Sequence, residues 1–281
     1  CGIRHISMVG TEARGGNVGM NIIEVEEVWK KFRIPHERRA TVLDAIANTL
    51  AFFGRRRSTY EEFWALRNIT FQVPKGRSIG IIGENGSGKT TLLRLIANVM
   101  KPNRGRIAVH GRIAPMLELG LGFHPELTVR ENAVVFGAIM GLRRDKLREQ
   151  IESIIEFAEL KRFEDAQLKA LSSGMQMRLA FSVAVQTEAD IILVDEALAV
   201  GDMEFRRKCL SRFREFRREG RTLVLVSHDM NLVTEFCEDA LLLSQGEIVA
   251  SGGATWVVQE YIKNIESQSI SSEGCGEEYG R

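Results

Sequence analysis

The sequence predicts an α/β fold: a largely parallel sheet with helical crossovers and an inserted helical subdomain. Three observations predict it. Short continuous apolar runs at Ser78–Gly83, Ile191–Glu196 and Thr222–His228 have the composition of strands buried on both faces. Helical periodicities lie between them, the alternation expected of an α/β sheet. The block between the first and second runs is too long for one crossover, so it reads as an insertion.

Bulk properties agree. The chain has 281 residues, 44% hydrophobic and 27% charged, which excludes disordered, collagen-like and coiled-coil classes for the whole. With 38 basic against 37 acidic residues the net charge is +1, so nucleic-acid binding would need a local patch. Cys1, Cys209, Cys237 and Cys275 are far apart, as in neither a disulfide framework nor a zinc site, and suit a reducing cytosol. No apolar run approaches the roughly 18 residues of a membrane span, and no signal peptide is expected.

The elements follow in order. Residues 1–20 are Gly-rich and aperiodic and read as a tail or upstream extension, with Met20 as a natural start. Asn21–Phe32 alternates as a strand does. Within 33–57, Thr41 and Asp44 form a capping pair, and Val42, Ile46, Leu50 and Phe53 share one helical face before Gly54. Trp64–Val73 is a strand and Pro74-Lys75-Gly76 a turn. A helix follows over Lys89–Val99. Residues 126–181 are mainly helical, with an amphipathic stretch over Arg143–Leu160, and the helical subdomain is expected over about 116–181. A highly charged helix spans Glu204–Arg218, and Ala240–Gly252 forms a hairpin. The main domain is expected to end near Lys263, with 264–281 as tail or linker.

Chemistry concentrates at the strand ends. Gly83–Thr90, GENGSGKT, matches G-x-x-x-x-G-K-[ST] between a strand and a helix. Its glycines let successive N–H groups point inward as an anion nest, and the helix start adds its positive end. Lys89 is placed to reach β- and γ-phosphates, and the Thr90 hydroxyl to hold Mg²⁺. Asp195 ends an apolar strand at the carboxyl edge of the sheet and would join the Mg²⁺ shell. Glu196 would be the base that polarises an attacking water. His228 ends another strand on that edge, where an imidazole would bind a γ-phosphate oxygen or orient water.

With LSSGMQMRLAF (Leu171–Phe181) some twenty residues before Asp195, the chain resembles the ATP-binding subunit of ABC transporters over about Asn21–Lys263. The resemblance implies a P-loop NTPase core sheet with an inserted helical subdomain, the ABC nucleotide-binding domain. It implies an ATP site over Gly83, Glu84, Asn85, Gly86, Ser87, Gly88, Lys89, Thr90 and Thr91. Ser172, Ser173 and Gly174 would contact the ATP held by a second copy, in a homodimer that closes over two nucleotides. An aromatic stacks on adenine in this family; Tyr60, Phe63 and Trp64 are the candidates, and spacing favours Tyr60. Asp202 is either a dimer contact or a solvated turn residue. Met116–Asn132 and Val194–Asp202 resemble the polysaccharide-exporting branch, which serves O-antigen, teichoic acid and capsule export. That implies a separate membrane permease subunit, a lipid-linked polysaccharide handled indirectly, and a peripheral place on the cytoplasmic membrane face. Ser173 and Met175 depart from the Gly and Gln of most relatives. Glu118 stands where the family offers a Gln to the metal, which puts that residue's metal role in doubt.

Residues 30–57 carry a local charge of +6, which suits either an anionic membrane surface or a solvated rim on a peripheral helix. Two other readings stay open: an ABC ATPase exporting a lipid or drug, and a nucleic-acid-associated ABC ATPase. The latter is disfavoured, because no sustained heptads separate Gly88 from Leu171 and there is one cassette. No nucleic-acid partner is expected.

Overall fold

The computed structural model describes residues 20–35, 60–117, 119–195 and 202–273, with side chains as far as 266. The helix expected within 33–57, Glu118, Glu196, Cys1 and Cys275 lie outside the described residues.

Two sheets organise the molecule. An antiparallel sheet has the order β2-β1-β4, from β1 (Asn21–Pro35), β2 (Tyr60–Pro74) and β4 (Arg104–Val109). The second sheet has six strands: β3 (Ser78–Ile82), β5 (Ile113–Met116), β6 (Ile191–Asp195), β7 (Thr222–Val226), β8 (Asp239–Ser244) and β9 (Glu247–Gly253). Their order is β5-β6-β7-β3-β8-β9, parallel except for the β8–β9 hairpin.

The three apolar runs occupy the middle of this sheet because both of its faces are covered. Along β6, Ile191 and Leu193 join one core while Ile192 and Val194 join the other. In β7, Val224 and Val226 alternate with Leu223 and Leu225 in the same way. A strand with no wet face needs apolar residues at every position, whereas a half-buried strand alternates.

One core unites the antiparallel sheet, helix α1 (Lys89–Ile96) and one face of the parallel sheet. The opposite face is covered by α5 (Met203–Arg218), α6 (Met230–Phe236) and α7 (Ala254–Glu273). In α5 the residues Phe205, Cys209, Phe213 and Phe216 recur at helical spacing and are buried, which leaves its charges outward. Burial pushes the Cys209 thiol up to about 12 and raises that of Cys237, so neither is a thiolate near neutral pH.

A third core belongs to the helical subdomain of α2 (Val129–Ile139), α3 (Arg144–Phe157) and α4 (Ser173–Ala184). Helix α2 begins in a capping box: the Glu131 N–H donates to Thr128 Oγ1, and the Thr128 N–H donates to the Glu131 carboxylate.

The structure corrects several boundaries. Helix α1 stops at Ile96, not Val99. Met116, the expected start of the helical block, closes β5 and pairs with Val194 of the parallel sheet. Helix α7 continues to Glu273, where a tail was expected from residue 264. Strand β7 ends at Val226, two residues before His228.

Candidate nucleotide site

The loop after β3 turns sharply to enter α1. Gly88 caps that helix with φ 106°, and a Cβ there would lie 2.6 Å from the Ala65 carbonyl oxygen and 2.7 Å from Leu66, so only glycine fits. No side chain caps α1 and no acid sits in its first turn, leaving its leading N–H groups for an anion.

Lys89 is only 7% exposed. Its ammonium donates to the carbonyl oxygens of Gly83 and Glu84, both at 2.8 Å, and so braces the loop from within. The Ser87 N–H closes the loop onto Glu84 O at 3.2 Å. Ser87 O accepts from the Gly246 N–H in the β8–β9 turn at 3.1 Å. Among the described residues the buried Ser87 Oγ has no hydrogen-bond partner.

Strand register places the other groups. Val226 of β7 is level with Asp195 of β6 and with Ile81 of β3. His228 and Gly83 each lie two residues beyond that level, so Asp195, His228 and the phosphate loop share the carboxyl edge, where ligands of such sheets bind. His228 is exposed there.

A cleft of about 550 Å³ opens over this edge, lined by Phe32, Phe63, Ala65, Asn85, Gly86, Gly88, Lys89, Thr90, Thr91 and Asp195. Thr90 and Asp195 bring oxygen donors of the kind a hard divalent cation takes. The bracing ammonium, the uncapped helix start and the orphaned Ser87 hydroxyl fit a bound polyphosphate with its metal.

Tyr60 is not among these lining residues. β1 and β2 pair without a slip from Lys31↔Trp64 through Phe32↔Phe63 to Pro35↔Tyr60. Side chains alternate across a strand, so Tyr60 shares its face with Glu62 and Trp64, and Phe63 shares the cleft face with Ala65. Trp64 is engaged elsewhere: its ring meets Trp29 edge-on at 5.5 Å and lies beneath the Lys31 ammonium. The aromatic pair facing the cleft is Phe63 with its direct cross-strand partner Phe32, which sequence reasoning did not single out. Only the strand register reveals that pairing.

Ser172 caps α4, accepting from the Met175 N–H at 3.3 Å, and Ser173 and Gly174 form its first turn. The Gln176 amide donates to the carbonyls of Leu168 and Leu171 and secures the approach to this turn. Ser172, Ser173 and Gly174 do not line the cleft of their own chain. Asp202 caps α5: its Oδ1 accepts from the N–H groups of Glu204 and Phe205, and its Oδ2 pairs with Arg178. The Phe205 N–H, more than the Arg178 charge, holds the Asp202 carboxyl below its ordinary range.

A phosphate nest at the carboxyl edge of a parallel sheet, a strand-end aspartate beside it and a helical insertion define a P-loop nucleoside triphosphatase. The ABC transporter family matches residues 66–199. The O-antigen export system ATP-binding protein RfbB of Klebsiella pneumoniae is 39% identical over 240 residues, 85% of this chain and 97% of that protein. The teichoic acids export ATP-binding protein TagH of Bacillus anthracis is 37% identical over 251 residues, 88% of this chain but 44% of its own length. Among solved structures, the ATP-binding cassette MJ0796, as a post-hydrolysis dimer bound to ADP and Pi, superposes with a TM-score of 0.65. It is 22% identical and covers 83% of this chain and 98% of its own. The chain belongs to the ABC transporter family as an ATP-binding, ATP-hydrolysing subunit.

Proposed function

We propose that this subunit powers export of a lipid-linked polysaccharide through a separate membrane permease, working as a homodimer that closes over two ATP molecules. The observation that carries the nucleotide chemistry is the buried Lys89 ammonium, hung on its own loop in the cleft that Asp195 also lines. The cargo class rests on the names of relatives similar along most of this chain, RfbB and TagH. Among the described residues no helix is long and apolar enough to cross a membrane, so a separate subunit would supply the path.

The residues divide the work. Lys89 and the loop N–H groups bind the β- and γ-phosphates, and Phe32 and Phe63 stack against the base. Thr90 and Asp195 would hold Mg²⁺, which when bound offsets negative charge on the phosphates. Glu196, outside the described residues, accepts the proton of the attacking water, and His228 orients that water. Ser172 and Gly174 of a second copy would close the site from the other side, with Asp202 and Ser173 as further contacts between the copies. A metal role for Glu118 lies outside the described residues. The short helices α2–α4 are unlike the long coiled coil of nucleic-acid-associated relatives.

Purifying the chain with its membrane partner and identifying the co-purifying sugar tests the cargo. A lipid-linked glycan supports the reading, and a plain lipid or drug transports the assignment to the second export class. Base stacking on an aromatic is worth about 1–3 kcal/mol, so Phe63→Ala should raise the KM for ATP about 5- to 150-fold. Tyr60→Ala should leave it unchanged. Steady-state phosphate release reads both, and a Tyr60 effect larger than that of Phe63 would reverse the assignment. The basic stretch yields a further prediction: neutralising Arg55, Arg56 and Arg57 together reduces export in proteoliposomes while ATP hydrolysis persists. Unchanged export removes any role for that charge at the membrane.

A further inference from the structure

Strand β8 turns into β9 through Gln245 and Gly246, between the paired residues Ser244 and Glu247. Both central residues have positive φ, 49° and 82°, as a two-residue hairpin turn of this hand requires. Turn tips ordinarily face water. Gly246 is buried instead.

The backbone of β2 covers it. A Cβ on Gly246 would lie 2.7 Å from the Ala65 carbonyl oxygen, 3.1 Å from the Ala65 carbonyl carbon and 3.3 Å from Leu66 Cα. These are main-chain atoms, which cannot swing aside as the end of a side chain does. Both polar groups of Gly246 use this close approach. Its N–H donates to Ser87 O of the phosphate loop at 3.1 Å, and its carbonyl accepts from the Arg67 N–H of β2 at 2.7 Å. β2 is the outer strand of its sheet, and Arg67 gives its N–H to this turn, not to β1. One residue of the parallel sheet's hairpin therefore bridges β2 and the phosphate loop.

The placement gives the bridge a role. Phe63 stands two residues before Ala65, on the same face of β2, and both line the cleft. The β1–β2 ladder holds Phe32 opposite Phe63. On the other side, Ser87 belongs to the loop that the Lys89 ammonium braces. The separation of the aromatic pair from the phosphate loop thus runs through Gly246, which belongs to neither.

We propose that Gly246 is a positioning residue that sets the distance from the Phe32–Phe63 pair to the phosphate loop. This rests on the functional reading above, which assigns the phosphates to the loop and the base to the two rings. Gly246 touches neither part of the nucleotide; it fixes how far apart their two seats lie.

The test uses the full chain and reads KM for ATP, kcat, competitive inhibition by inorganic tripolyphosphate and thermal unfolding. Gly246→Ala sets a methyl against the Ala65 carbonyl, so the turn and β2 must part. A gap of about 0.5–1 Å forfeits about a quarter to a half of a dispersion contact, so KM for ATP should rise about 2- to 10-fold from the stacking lost, with kcat held. Tripolyphosphate has no base and should inhibit Gly246→Ala and the parent equally. In a Phe63→Ala background the same substitution should add nothing to KM, because no ring remains to misplace. A glycine of purely structural use would lower the unfolding temperature and leave these ratios alone. Unchanged KM in folded Gly246→Ala, tripolyphosphate inhibition weakened in step with ATP, or an additive effect beside Phe63→Ala overturns the spacing role. Amide exchange in the parent protein needs no variant to fold: saturating ATP should slow the Arg67 and Gly246 amides more than saturating tripolyphosphate, and equal protection overturns the spacing role too. Unchanged KM in Phe63→Ala overturns the base assignment and the spacing role with it; a raised KM there beside an unchanged Gly246→Ala removes the spacing role alone.

Discussion

Lys89→Ala is expected to lower kcat/KM for ATP by about 30- to 4,000-fold. The ammonium is almost wholly buried, and its two carbonyl contacts at 2.8 Å hold it at the mouth of the phosphate nest. A triphosphate docking there meets a desolvated positive charge already in place, which strengthens the contact and spares the cost of ordering a long side chain. Truncating one member of a buried, hydrogen-bonded charge pair costs about 2–5 kcal/mol, which is about 30- to 4,000-fold in kcat/KM. The same change orphans the carbonyls of Gly83 and Glu84, so thermal unfolding must be measured beside phosphate release and nucleotide binding. A folded Lys89→Ala protein that binds and hydrolyses ATP like the parent would remove the phosphate site from this loop.

Glu196→Gln is the second large effect. Glutamine keeps the shape and polarity of the side chain but cannot accept a proton from water. General-base catalysis contributes about 100- to 10,000-fold, so phosphate release should fall by that factor while ATP binding survives. The trapped state should be a nucleotide-bound dimer, seen as a shift in size-exclusion elution when ATP is added. The two variants differ in kind: Lys89→Ala fails to load, and Glu196→Gln loads but fails to fire. A Glu196→Gln protein that hydrolyses ATP at the parent rate transfers the base role to another group on the same edge.

The centre of the fold was legible in the amino-acid string because its signals are local. SIGIIG, IILVDE and TLVLVSH are apolar at successive positions, and the sheet is covered on both faces where they lie. The nest from Gly83 to Thr90 was legible for the same reason, since a loop followed by a helix start writes its geometry in adjacent residues. Less central elements were obscure. β5 contains Pro115, which lacks a ladder donor and argues against a strand; it is tolerated because β5 is the sheet edge. β4 is partly exposed throughout, with no alternation to announce it. α6 is only 7 residues long, too short for a clear period.

The aromatic lining of the cleft was less legible than its loop. Tyr60 looked favourable by spacing along the chain, but the face of a strand that meets a ligand depends on parity and on register with a partner. Phe32 and Phe63 are far apart in sequence and directly opposite in the antiparallel sheet. The Gly246 bridge was invisible for a related reason. It joins three separate segments, each of which reads locally as an ordinary turn, loop or strand.

The rings of Phe32 and Phe63 and the loop Gly83–Thr90 belong to different sheets, joined through one shared core. The gap between them works as a caliper whose jaws are set by the stacking of two layers. A guest must be long enough to touch both jaws at once. On the functional reading proposed above, a nucleoside without its phosphate chain would reach only one jaw and inorganic phosphate only the other, so the complete nucleotide alone would touch both.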